Sequence, residues 1–425
     1  MKSYSPRVAI AVVIANMVGT GVFTSLGFQL AAIDSTTVIL LLWAIGGLCA
    51  VSGAMCYAEL GAHHPASGGE YHFLSALIHP FAGFLSGVVS ATVGFAAPIA
   101  LAALTFGVYL ATAFPGIPAK LSATAVIVAM VLVHTQTRRE SASGQFYLTL
   151  LKLMLIAAFI AAALISGPDF SAQINFEGWS SFDGIFSGAA AVSLIYVTYA
   201  YSGWNAATYI LGELERPQET LPKVLVVGCA TVMITYVVLH LVFLSSAPIE
   251  SLEGQVEIAF VVAEQIMGSG GAFVVSLLLA GILISTISAM VMAGPRALQR
   301  LGEDYPLFDY LGRRNKADIP VNAIVFMAGI ALLFLWTSTF EQILLFAGVL
   351  MATNTFVTVA AVFVSRRRFP RTAFVMPWYP LPAIVFLSIT GWTLAYSAIQ
   401  FPQQLALVLL IIALAFPFHR RLTRR

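Results

Sequence analysis

Apolar residues recur along the chain in runs of roughly 20, interrupted by short polar segments, and a run of that length matches a helix crossing a bilayer. The first half carries six such predicted spans, at 7–32, 38–60, 81–110, 120–135, 144–166 and 184–212. The second half carries six more, at 223–246, 271–296, 320–338, 341–364, 380–399 and 403–418. The first run is broken by Gly19 and Gly21 yet continues to about Ile33, so it reads as a transmembrane helix and not as a cleaved leader.

Composition agrees with this pattern. Of 425 residues, 59% are hydrophobic and 9% charged, against about 25% charged in a soluble domain. The chain therefore reads as one membrane domain over 1–425, divided into 7–166, 184–364 and 380–418. Cys49, Cys56 and Cys229 all lie inside apolar runs without paired spacing, so no disulfide framework is expected. The net charge of +2 implies no nucleic-acid partner.

The distribution of charge is more informative than its sum. With the N-terminus placed inside, every Lys and Arg except Lys120 and Lys152 falls at one face of the membrane. Acids such as Asp169, Glu177, Asp183, Glu250, Glu253, Glu257 and Glu264 gather in the opposite loops. The positive-inside bias predicts that both termini face the cytoplasm, which requires an even number of spans and supports twelve in a cytoplasmic membrane.

Two runs are interrupted in mid-membrane. The first contains Asn16-Met17-Val18-Gly19-Thr20-Gly21-Val22-Phe23, and the sixth contains Tyr199-Ala200-Tyr201-Ser202-Gly203-Trp204-Asn205. One glycine pair is also explained by close helix packing. Two breaks are harder to explain that way, because spans one and six begin two five-helix blocks that enter the membrane from opposite sides. That is the pattern of an inverted repeat with paired broken helices. Half-helix amides attract an anion and exposed carbonyls a cation, so a zwitterionic α-amino acid fits two facing breaks.

These segments resemble the amino acid–polyamine–organocation superfamily, and within it the L-amino acid transporter-like bacterial permease branch. The resemblance is carried by Gly19-Thr20-Gly21-Val22-Phe23, Trp43-Ala44-Ile45-Gly46-Gly47, Tyr57-Ala58-Glu59-Leu60-Gly61 and Pro65-Ala66-Ser67-Gly68-Gly69-Glu70-Tyr71. It continues in Tyr201-Ser202-Gly203-Trp204-Asn205, Gly212-Glu213-Leu214-Glu215-Arg216-Pro217, Leu221-Pro222, Arg296 and Pro320. It implies an all-α fold of twelve transmembrane helices, a 5+5 inverted repeat of the leucine-transporter type with discontinuous helices one and six, plus two C-terminal helices. It further implies a substrate carboxylate on amides around Thr20 and Gly21, an ammonium near the carbonyls of Met17, Tyr199 and Ser202, and substrate contact at Val18 and Gly19 as well. Tyr199 falls where the family has an aromatic gate, and Gly203, Trp204 and Asn205 open the second half of helix six. Leu150-Leu151-Lys152-Leu153 resembles the fifth helix of sodium-independent members, in which a lysine ammonium stands where sodium-coupled relatives hold sodium. A long stem snorkelling to the interface is the alternative reading of Lys152.

The function implied is sodium-independent secondary transport of amino acids, by exchange or linked to protons, with no cofactor and with lipid as the surrounding partner. No carboxylate is expected in mid-membrane, which favours neutral L-amino acids; a basic amino acid or polyamine antiporter is the alternative, since aromatic faces hold cations. Heterodimeric members link to a heavy subunit through a cysteine after the third span. The loop from Ala111 to Lys120 has none, so no disulfide-linked partner is expected. His63, His64, His72 and His79 lie near Glu59 and Glu70, but the remaining histidines are scattered singly, so a packed interfacial loop is expected there and not a metal site. A histidine-site membrane enzyme lacks its repeated boxes, and a channel does not require two opposed breaks. Arg366, Arg367 and Arg368 read as topology determinants.

Overall fold

The computed structural model describes residues 5–136, 142–167, 184–317, 319–369 and 374–422. Expectations resting on Arg138, Arg139, Asp169, Glu177, Asp183 and Arg371 lie outside those residues. The described residues are helical throughout. In chain order the helices are α1 (Pro6–Met17), α2 (Gly21–Leu30), α3 (Thr36–His63), α4 (Gly69–Leu77), α5 (Pro80–Val89), α6 (Ala96–Ala113), α7 (Ala119–Gln136) and α8 (Ala142–Ile165). They continue as α9 (Gly188–Ala200), α10 (Ala206–Tyr209), α11 (Pro217–Ser246), α12 (Ile249–Leu252), α13 (Ile258–Asp304) and α14 (Asp309–Gly312). The last four are α15 (Val321–Thr337), α16 (Phe340–Arg368), α17 (Leu381–Gln400) and α18 (Pro402–Leu422).

Among the described residues, nine helical stretches are long and apolar enough to cross a membrane, and three shorter apolar helices accompany them at 188–200, 321–337 and 402–417. Local signals set several boundaries. Ser35 caps α3 by accepting from the Val38 amide, and α3 stops just before Pro65, which has no amide hydrogen to continue it. Thr339 and Gln342 form a reciprocal capping box at the start of α16.

Two predicted spans differ from expectation. The third is not one helix: α5 passes through a π-helical turn at Ser90–Gly94 before α6 resumes. The eighth is longer: α13 extends back to Ile258 across a kink at Gly268, φ 69°, in the stretch Gly268-Ser269-Gly270-Gly271 that interrupts the apolar run from which the span was read.

The helices pack as two groups. α1, α3, α9 and α11 pack on one another, while α6, α7, α13 and α15 form a second set; α16 touches both, and α8 lies against α1 and α11. Contacts between helices in lipid rest on close packing more than on water exclusion, so small residues mark them. A β-carbon added to Gly53 of α3 would stand 2.7 Å from the ring of Phe386 on α17.

Candidate functional site

A cavity of about 820 Å³ lies between the two groups and reaches from the helix breaks to the end of the bundle that carries Arg296, Arg300 and Arg314. Its floor is the first break. Residues 18–20 separate α1 from α2, Val18 leaving helical geometry with ψ 86°, and a helix start leaves its first amides without intrahelical partners. Its facing wall is the second break, residues 201–205 between α9 and α10.

The breaks interlock through two glycines. A β-carbon on Gly21 would stand 2.6 Å from the Ala200 Cα, and one on Gly203 would stand 2.7 Å from the Asn16 carbonyl oxygen. Gly203 also has φ 94°, a region that side chains resist. Gly19 differs, since a β-carbon there would meet nothing nearer than Thr286 Cγ2 at 3.8 Å. Two of the three glycines are therefore fixed by helix contact, and Gly19 has room for a β-carbon at ordinary contact distance.

Met17, Gly19, Thr20, Gly21, Tyr199, Ser202, Gly203 and Asn205 all line the cavity. Val18 and Trp204 do not. Val18 is buried, and Trp204 packs edge-on against Tyr57 with ring centroids 4.6 Å apart. Tyr199 and Thr20, one from each break, both line the cavity. The Met17 carbonyl accepts from the Tyr236 hydroxyl at 2.7 Å, and the same hydroxyl lies 3.3 Å from the Ala200 carbonyl. The Tyr199 carbonyl accepts from the Ser202 amide at 2.9 Å. A carbonyl oxygen has two lone pairs, so both retain capacity for a further donor.

Lys152 is buried and does not snorkel. Its Nζ donates to Thr286 Oγ1 at 2.9 Å, and Thr286 lines the cavity opposite Gly19. A cation inside a bilayer costs about 2.5–3.5 kcal/mol on insertion scales, and a hydrogen bond to a charged group returns about 1.5–3 kcal/mol. The Thr286 bond thus offsets much of the cost of placing Lys152 there.

Several residues at or beside the cavity carry no clear signal in the sequence. Tyr236 lies in an apolar run, where a tyrosine reads as packing. Thr286 is one hydroxyl among several in α13. Glu70 sits in a segment that reads as an interfacial loop, yet it is 1% exposed and lines the cavity. Glu70 stands on α4, between two spans, so it leaves the expectation of no mid-membrane carboxylate untouched and still reaches the cavity. Its oxygens accept from the Tyr57 and Tyr209 hydroxyls at 3.1 and 2.6 Å and from Asn205 Nδ2.

The histidine segment packs as an interfacial element. The His63 ring meets Ser365 Oγ at 2.9 Å, and the His64 and His72 rings are 6.1 Å apart. Burial pushes the His64 and His72 imidazoles below their ordinary range, helped by neighbouring histidines at His64 and by Arg300 at His72. Arg366 is more than a topology signal: it grips buried Glu59, with Nη2 at 2.6 Å from Oε2, and lies 3.7 Å from the Tyr379 ring centroid.

Away from the basic end, polar and aromatic contacts beyond the breaks tie the helices together. Gln29 donates to Ser193 Oγ at 2.6 Å and accepts from Trp43 Nε1 at 2.8 Å. Phe28 stacks on Phe340, and the Gly254 amide donates to the Gly27 carbonyl at 2.9 Å.

Long apolar helices around a cavity floored by two broken helices define a multi-pass membrane protein of the transporter class. The chain belongs to the amino acid permease family, within the amino acid–polyamine–organocation superfamily; the family's sequence profile matches residues 5–417. It is 29% identical over 337 residues to the b(0,+)-type amino acid transporter 1 of Mus musculus, a match covering 77% of this chain and 68% of that one. It is 25% identical over 423 residues to the large neutral amino acids transporter small subunit 2 of Homo sapiens, covering 97% and 78%.

Proposed function

We propose that the protein is a sodium-independent secondary transporter of amino acids, chiefly neutral L-amino acids, working by alternating access in a cytoplasmic membrane with both termini cytoplasmic. The observation that carries this reading is the interlock of two helix breaks at one cavity, where half-helix ends suit a carboxylate with their amides and an ammonium with their carbonyls. The nine long and three shorter apolar helices supply twelve crossings in a 5+5 inverted repeat with two further helices. The α1, α3, α9 and α11 group is the part that rocks, against the group of α6, α7, α13 and α15. The structure is then the state open to the cytoplasm.

In this reading the substrate carboxylate meets the amides around Gly19, Thr20 and Gly21, and Lys152 holds the place of a sodium ion. Neutral substrates are favoured although Glu70 lines the cavity, because three donors already occupy its oxygens. The loop after Ala113 has no cysteine and the three cysteines are buried, so a disulfide-linked subunit has no part in it.

The test is uptake of a labelled amino acid mixture into proteoliposomes in sodium-free buffer, with and without internal amino acids, followed by competition from single amino acids. Saturable uptake that neutral amino acids inhibit most is the expected result. No saturable flux under either condition would overturn the proposal.

A further inference from the structure

α10 has only four residues, too few to hold itself as a helix, so tertiary contacts must set its position. Asn205 and Tyr209, four residues apart, share one face of this segment. Both donate to Glu70: Asn205 Nδ2 to Oε1, and the Tyr209 hydroxyl to Oε2 at 2.6 Å. A third donor, the Tyr57 hydroxyl of α3, reaches Oε1 at 3.1 Å. One buried carboxylate therefore gathers α3, α4 and the segment after the second break.

The backbone at Glu70 is shaped for this contact. Gly68 and Gly69 precede it at φ 126° and 54°, turning the chain into the first turn of α4, where a carboxylate is favoured by the helix dipole. A β-carbon on Gly69 would stand 2.9 Å from Tyr209 Cε1, so glycine there is what lets the Tyr209 ring lie close. Because all three partners donate, an ionised carboxylate suits the position and an amide does not: glutamine offers one acceptor oxygen and adds two donors.

We infer that Glu70 is the positioning residue of the second break: through Asn205 and Tyr209 it fixes where the chain after Gly203 stands in the cavity. This deepens the proposed transport function and rests on it for its effect on flux. Glu70 acts through Asn205 and does not itself need to touch the substrate.

The experiment uses the full-length protein with one reporter cysteine at a time, since the three native cysteines are buried. Ala206→Cys reports on the held segment and Thr355→Cys, on α16, serves as the control; both residues line the cavity. Labelling by a negatively charged maleimide is compared with Glu70 intact, in Glu70→Gln, and in the exchanged pair Glu70→Gln with Asn205→Asp, which restores one donor–acceptor bond with its direction reversed. Glu70→Gln is expected to change the Ala206→Cys labelling rate at least threefold, with Thr355→Cys within 1.5-fold of its starting rate, and the exchanged pair is expected to recover most of the difference. In proteoliposomes, Glu70→Gln should raise the apparent KM for labelled L-leucine about tenfold, with maximal flux changed less than threefold.

An Ala206→Cys rate unchanged in Glu70→Gln overturns the inference. So does a parallel change at both reporters, which means general loosening of the fold. Should Glu70→Gln not fold, Glu70→Asp, which keeps the charge and shortens the reach, must show the same selective change. A parent protein that carries no amino acid defeats the transport reading, while the two labelling rates still decide the role of Glu70.

Discussion

Asn16 and Gly203 meet backbone to backbone, so closely that a β-carbon on Gly203 would stand 2.7 Å from the Asn16 carbonyl oxygen. Gly203→Ala adds that collision to a left-handed φ of 94°. Strain of this kind costs about 1–3 kcal/mol. Thermal unfolding in detergent should show the loss, together with loss of amino acid binding.

Gly19→Ala and Gly21→Ala should separate from each other. Space of 3.8 Å at Gly19 accepts a methyl group, so that variant keeps its melting temperature and loses affinity at least tenfold, because the methyl occupies the cavity. The Gly21 variant drives a methyl group into Ala200 and loses stability. Melting curves and binding isotherms on both proteins check the contrast. Equal melting temperatures in the two would contradict the interlock.

Lys152→Met keeps the length of the stem and removes the charge that Thr286 receives. Flux in sodium-free proteoliposomes should fall at least tenfold while equilibrium binding changes less than threefold. Full activity of that variant without sodium, or a wild-type protein that needs a sodium gradient, would defeat the assignment of Lys152.

Tyr236→Phe removes the hydroxyl bonded to the Met17 carbonyl and close to that of Ala200, at a typical cost of about 1 kcal/mol. With the two chain segments no longer tied, the apparent affinity should differ more between the two sides of the membrane than in wild type. Uptake measured in right-side-out and inside-out orientations tests this.

Glu59→Gln leaves Arg366 without its buried partner. Breaking such a pair costs about 3–5 kcal/mol, so this variant should unfold at clearly lower temperature, whereas Arg367→Gln, beyond that pair, should not.

Much of this architecture was legible in the sequence because a membrane span needs a long apolar run, and Gly19, Gly21 and Gly203 stand where such a run tolerates glycine poorly. The same logic hid the rest. Ser90–Gly94 departs from the α-helix without any break in hydrophobicity, so nothing distinguished it from the helix around it. Glu70 reads as part of an interfacial segment packed under the helices, and its burial rests on Tyr57, Asn205 and Tyr209, partners that the segment itself does not reveal. Trp204 stands next to a break in sequence yet turns toward Tyr57, a choice set by partners distant in the chain. Arg366 read as one of three adjacent cations, and its pairing with Glu59 depends on a contact between α3 and α16.

The two glycine contacts join like to like. Gly21 joins the halves of the broken helices that lie away from the basic end, and Gly203 joins the halves nearer to it. Each pair of half-helices therefore travels together when the group of α1, α3, α9 and α11 rocks, like planks bolted into one door. A door so fastened leaves few gaps at its seam, so slippage of small ions through the empty carrier should be rare compared with its turnover.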